Sequence, residues 1–184
     1  VPGYSKTKSG TSQDVVVCKL KNDGSSMLYA TYIGGSTGGE TGTAIAIDNN
    51  GNSYFTGFGA STNFPTTTGS FKTAPASGDI FVSSLDSSGT ILRKSTAVGQ
   101  GYSYGIDVDE CGFVVISGYT SSPTFPITSD AFVKTVSSLE NIVTVFDYDL
   151  KSLTFSTFFG GKSADYGEAS VSVKRQNLII SGTT

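Results

Sequence analysis

Ala44-Ile-Ala-Ile-Asp-Asn-Asn-Gly-Asn-Ser-Tyr-Phe-Thr-Gly57 is the stretch whose reading decides the fold. Two short runs rich in apolar and β-favouring residues flank Asp48-Asn-Asn-Gly-Asn52. Asn, Asp and Gly reach positive φ at the least steric cost, so the stretch predicts a β-hairpin. The pattern returns twice. Gly105-Ile-Asp-Val-Asp109 with Val115-Ile-Ser-Gly118, and Ser170-Val-Ser-Val173 with Ile179-Ile-Ser-Gly182, repeat the same pair of runs.

Working outward, each hairpin is preceded by two further matching runs. They are Asp14-Val-Val-Val-Cys-Lys-Leu20 with Leu28-Tyr-Ala-Thr-Tyr-Ile-Gly-Gly35, Asp79-Ile-Phe-Val-Ser-Ser-Leu85 with Arg93-Lys-Ser-Thr-Ala-Val-Gly99, and Asn141-Ile-Val-Thr-Val-Phe146 with Thr154-Phe-Ser-Thr-Phe-Phe-Gly-Gly161. The repeat length is about 61–65 residues, and a fixed period of this size marks a repeat architecture. Each unit reads as four short strands bounded by Gly, Asn, Asp and Ser. Asn22-Asp-Gly24 and Asp86-Ser-Ser-Gly89 predict further hairpin turns. Val15-Val-Val-Cys18 and Ile142-Val-Thr-Val-Phe146 are apolar at successive positions, which predicts strands covered on both faces, with Cys18 buried. Cys111 is expected on a loop, and both thiols unpaired. No amphipathic helix is visible. The expected fold is all-β: a β-propeller-like array of four-stranded antiparallel sheets, about three repeats, part of a larger propeller. The division is 1–13 as the end of an inter-repeat loop, 14–76 and 77–138 as the first two repeats, and 139–184 as a third that stops after its last strand. Closed propellers take about four to eight blades, so either a longer array or several copies is expected to complete the ring.

Composition supports this and removes several functions. Gly, Ser and Thr fill 74 of 184 positions, while 12 Phe and 9 Tyr supply the bulk of a core. The absence of His removes His-based acid–base chemistry, the Ser-His-Asp triad and His-containing zinc sites. Lys and Arg total 12 against 15 Asp and Glu, and the basic residues form scattered pairs rather than a stripe. Nucleic-acid binding is therefore not expected. Neither is a membrane span within this segment, since no apolar run reaches the required length.

The motifs taken together resemble the SBBP-type β-propeller repeat family (seven-bladed β-propeller). The residues that carry the resemblance are Gly160-Gly-Lys-Ser-Ala-Asp-Tyr-Gly167, the Ala44–Gly57 hairpin, and the Phe-Pro loops Phe64-Pro-Thr-Thr-Thr-Gly-Ser-Phe71 and Gly118-Tyr-Thr-Ser-Ser-Pro-Thr-Phe-Pro126, with Phe132 after the latter. The second unit departs from the pattern, with Gly99-Gln100 in place of Gly-Gly and no aromatics in Arg93-Lys-Ser-Thr96. The resemblance implies large secreted or surface-exposed repeat proteins without transferable catalytic residues.

The chemistry-bearing motifs favour structural readings. Asp48-Asn-Asn-Gly-Asn52 begins like a calcium loop, but Gly59 stands at the twelfth position where an acid is needed. Asp107 and Asp109 share one strand face as an acidic patch. Asp147-Tyr-Asp149 and Asp165-Tyr166 invite a paired-carboxylate reading, yet nothing in the sequence sets them across one cleft. Phe64, Phe71, Phe125 and Phe132 are expected to wedge between blades. No catalytic residue, cofactor or metal site is expected. The function expected is a non-catalytic extracellular or cell-surface scaffold, in an appendage, sheath, filament or surface layer. Its expected partners are further repeats of the same protein or copies of itself. The alternative is a glycan- or protein-binding module with Tyr102, Tyr104, Asp165 and Tyr166 on a ligand-binding rim. A polysaccharide-degrading enzyme comes third.

Overall fold

A computed structural model describes residues 1–161, 164–165, 170–174 and 177–183. The described residues form twelve strands and no helix: β1 (Val15–Leu20), β2 (Met27–Ile33), β3 (Glu40–Ile47), β4 (Ser53–Gly59), β5 (Asp79–Leu85), β6 (Leu92–Gln100), β7 (Tyr102–Val108), β8 (Val114–Thr120), β9 (Glu140–Phe146), β10 (Leu153–Phe159), β11 (Ser170–Lys174) and β12 (Asn177–Ser181). All pairings are antiparallel. Among the described residues, no helix is long and apolar enough to cross a membrane.

The strands assemble as four sheets: β1–β2, then β3–β4–β5–β6, then β7–β8–β9–β10, then β11–β12. Each four-stranded sheet therefore joins the last two strands of one sequence unit to the first two of the next. The third unit also aligns one residue away from its apparent match. Gly57 opposes Phe81 and Gly118 opposes Ile142, which sets Glu140, not Asn141, at the place of Asp79.

The hairpin turns form where Asp, Asn and Gly predict them. Gly24, Gly51, Gly89 and Gly112 all take positive φ. A carboxylate closes the turns: Asp48 accepts the N–H groups of Asn50 and Asn52, Asp86 those of Ser88, Thr90 and Ile91, and Asp109 those of Cys111 and Phe113. Leu150 occupies the corresponding place after β9 with φ 56°. Its side chain is fully buried in the core, which offsets the strain of a left-handed leucine.

The sheets stack in chain order. Tyr54, Ile80, Val82, Ile106, Ile116, Ile142, Phe146 and Phe158 belong to the core between the two four-stranded sheets. A second core of Val15, Val17, Tyr29, Ile33, Phe55, Phe64, Phe81 and Leu85 joins β1–β2 to β3–β6. As expected, Ile142–Phe146 is covered on both faces, with only Val145 part-exposed. Val15–Cys18 is not. Val15 and Val17 face inward, whereas Val16 and Cys18 are exposed because β1–β2 packs against a sheet on one side only. Cys18 and Cys111 are both free and exposed, which corrects the expected burial of Cys18.

A recurring set of serines and threonines ties the loops to the outer strands. Ser95 on β6 donates its hydroxyl to the Pro65 carbonyl at 2.6 Å and its N–H to Thr67 Oγ1, while the Thr67 N–H donates to the Ser95 carbonyl. Ser156 on β10 repeats this with Pro126 and Thr128. Thr31, Thr96 and Thr157 clamp Ser5, Lys72 and Val133 in the same way, each hydroxyl accepting the loop N–H. The loops thereby hold Phe64 and Phe125 in the core, with Phe64 stacked on Phe81 at 4.5 Å. Phe71 packs edge-on against Phe146. Phe132, expected to wedge likewise, is 83% exposed and, among the described aromatics, meets only the edge-on ring of Phe155. Its neighbour Ala131 turns inward instead.

Candidate functional site

Four aromatic rings meet where β4 ends and β7 and β8 run beside it. Phe58 lies edge-on to Tyr102 with centroids 4.6 Å apart, Tyr102 is 5.1 Å from Tyr119, and Tyr104 stacks on Tyr119 at 5.9 Å. Their placement depends on two glycines. A Cβ on Gly57 would collide with the Thr41 carbonyl, and one on Gly118 with the Tyr102 carbonyl. These are the points where β3 and β7 shift register and swing across the neighbouring strand. The shift between Ser103 and Gly105 brings both tyrosines of β7 to the rim. Burial first, and then the hydrogen bond with Tyr104, push the Tyr119 hydroxyl up to about 12. Beside the rings runs an open groove of about 570 Å³, bounded by Phe58, Tyr102, Gln100, Thr120, Ser121 and Ser122 among others.

Carboxylates form a second pattern. Asp14 and Glu40 both lie within 2.7 Å of the point where a Gly34 Cβ would stand. Ser9 N–H donates to Asp14 at 2.7 Å, and Gly35 N–H to Glu40 at 3.1 Å. The third unit repeats the arrangement at Gly160, where Glu140 and Asp165 meet, with Ser137 donating to Glu140 and Gly161 N–H to Asp165. The Gly-Gly pairs are thus room for two carboxylates and a donor to one of them. In the second unit Gly101, whose N–H donates to the Gly78 carbonyl as that of Glu40 does to Gln13, stands in place of the second acid, and Lys72 binds the remaining Asp79 at 2.6 Å. Burial raises the Glu40 carboxyl above its ordinary value; Ser61 and Gly35 hydrogen bonds act against this, and the nearby Asp14 charge adds to it. Glu40, Glu140 and Asp165 are all buried, so the pairs face the fold's interior, not a cleft.

The candidates named from sequence divide accordingly. Tyr102 and Tyr104 come together at the rim. The Asp165 side chain turns to Gly161 and Glu140, although its N–H reaches the carbonyl of Leu139, a groove residue. Tyr166 lies outside the described residues. Asp147 closes a hairpin through Lys151 N–H and the Ser152 hydroxyl. Asp149 stands 3.5 Å from Lys94, whose ammonium also sits over the Tyr148 ring. Asp107 accepts the Val173 N–H and Ser172 hydroxyl, tying β7 to β11. Phe58 and Tyr119 were missed, yet the signal was present: each follows the glycine that ends a matched strand, Gly57 or Gly118. Glu40 was legible in the same way, since Glu40-Thr-Gly42 matches Asp165-Tyr-Gly167. Among the described residues, no group of three or more Cys, Asp or Glu side chains is gathered to hold a metal ion.

No family model matches the sequence, and no curated protein matches it either.

Proposed function

We propose that this chain is a non-catalytic structural repeat segment of the SBBP propeller kind, working outside the cell or on its surface as a scaffold. Its sheets are successive blades, and further repeats or copies of the chain complete the array. The observation that carries this reading is the phase of the strands. β11–β12 correspond to β3–β4 and β7–β8, whereas β1–β2 correspond to β5–β6 and β9–β10. The two outer sheets are therefore complementary halves of one four-stranded sheet. Antiparallel pairing of β12 with β1 of a neighbour, in the register of β8 with β9, sets Ile180 opposite Cys18.

Loop contacts fit the same join. Tyr4 N–H donates to the Gly89 carbonyl and Phe71 N–H to the Leu150 carbonyl, each loop touching the outer hairpin of the following sheet. Phe132 is the next in this series, and its counterpart carbonyl is that of Gly24 in the neighbour's first hairpin. Low charge and many small polar residues suit an extended surface assembly, and the closed carboxylate pairs suit a role without catalysis.

Sedimentation equilibrium tests the reading. The chain is expected to associate with itself as concentration rises, and Ile179→Lys, on the exposed β12, to reduce that association. A 19.1 kDa species at every concentration, unchanged by the substitution, would overturn it.

A further inference from the structure

We infer that the groove beside Tyr102 binds a neutral oligosaccharide, a role that goes beyond scaffolding. Tyr102 is 43% exposed, and its ring is held by the T-shaped contact with Phe58 and the tilted contact with Tyr119. An aromatic ring held by its neighbours keeps its orientation without a ligand, so stacking against the C–H face of a sugar ring costs little ordering.

The rest of the described lining is uncharged, with hydroxyls and one amide set among glycine, Ala60, Pro123 and Leu139. Among the described residues that line the groove, none is Asp, Glu, Lys or Arg. An acidic or basic ligand would leave bulk water there for no compensating charge, whereas a polyhydroxylated neutral one exchanges hydrogen bonds with groups of its own kind. Gln100 lies exposed at the groove and donates one N–H to the Ser77 carbonyl at 3.3 Å, which holds the amide in place. Its carboxamide oxygen and remaining N–H are then set for sugar hydroxyls. Ser121 is exposed and adds a hydroxyl, and the part-exposed Ser122 adds another, hydrogen-bonded to the Thr124 hydroxyl. Exposed glycine backbone at Gly78 lets a flat ring approach the wall closely. An open groove of about 570 Å³ has room for more than one sugar unit.

The test uses cellohexaose, maltohexaose and laminarihexaose as neutral probes and hexagalacturonate as the acidic one, read by titration calorimetry and by amide NMR signals. At least one neutral hexasaccharide is expected to move the signals of Gly59, Gly78 and Gly101 and to bind at least about tenfold more tightly than hexagalacturonate. Tyr102→Ala should weaken that binding at least about tenfold, while Tyr102→Phe keeps it within about twofold, since stacking and not the hydroxyl carries the contact. Gln100→Ala, on the surface and away from the core, should weaken it severalfold and serves if Tyr102→Ala does not fold. The inference is overturned if no neutral probe moves those signals, if the acidic probe binds equally well, or if Tyr102→Ala or Gln100→Ala leaves affinity unchanged. These readouts are independent of self-association, so either reading can fail without the other.

Discussion

Ile45 on β3 and Ile106 on β7 occupy the same place in successive four-stranded sheets, yet Ile45 is 55% exposed and Ile106 only 7%. Ile47 and Val108 repeat the contrast. The difference lies in what precedes each strand. β7 packs onto β3 and β4 of a complete sheet, whereas the sheet before β3 consists of β1 and β2, the outer pair. Phe71 and Phe132 show the same thing from the other end: Phe71 has the hairpin of the following sheet to pack on, and the sheet after Phe132 is β11–β12, the inner pair. A repeat's sequence prepares each face for a neighbour, and whether the face is buried depends on the neighbour being there.

The largest effect expected from breaking this comparison is at Gly118. Gly118→Ala places a Cβ against the Tyr102 carbonyl, and Gly57→Ala against the Thr41 carbonyl, where backbone must move. Each is expected to cost about 3 kcal/mol or more, or to prevent folding, in both sheets alike. Next comes the contrast itself. Ile106→Ala should cost about 3 kcal/mol in urea unfolding of the isolated chain, and Ile45→Ala less than about 0.5 kcal/mol. Equal losses at the two positions would mean that β3 is covered in solution under those conditions. The loop clamps are smaller. Thr96→Val removes the acceptor for the Lys72 N–H and should cost about 1 kcal/mol, with Thr157→Val similar at Val133.

The smallest effect is a pH slope. The folded chain holds the Glu40 proton more tightly than the unfolded chain, because the carboxyl is raised above its ordinary 4.5. Its contribution to stability therefore falls as pH rises from about that value through the raised one. Urea midpoints measured across this range should decline with pH at this site, and Glu40→Gln should flatten the decline. In the second unit the counterpart is Gly101, which has no side chain to titrate.

Local features were legible in the sequence because they are written locally. Asp48-Asn-Asn-Gly51 and Asp86-Ser-Ser-Gly89 specify their turns through residues that reach positive φ and carboxylates that accept nearby N–H groups. The repeat, the all-β class and the joint position of Tyr102 and Tyr104 follow from the same kind of pattern. The division of strands among sheets was not legible. A strand's side-chain alternation says that it needs partners and does not say whether they come from its own unit or the next. Cys18 shows the cost of that ambiguity: its strand reads as doubly covered because β5 and β9, its counterparts, are so covered. The carboxylate pairs were hidden for another reason. Asp14 and Glu40 are far apart in the chain, and only the folded Gly34-Gly35 corner brings them together.

The central claim is that β12 and β1 are two halves of one sheet interface. Ile180→Cys, made with Cys111→Ser so that Cys18 is the only other thiol, tests it most directly under mild oxidation. A disulfide between Cys18 of one copy and position 180 of another is expected, and Ile179→Cys should not form it, since a shift of one residue turns the side chain to the opposite face. Failure of the 180 variant to cross-link at concentrations where the chain self-associates, or equal cross-linking by the 179 variant, would contradict the account.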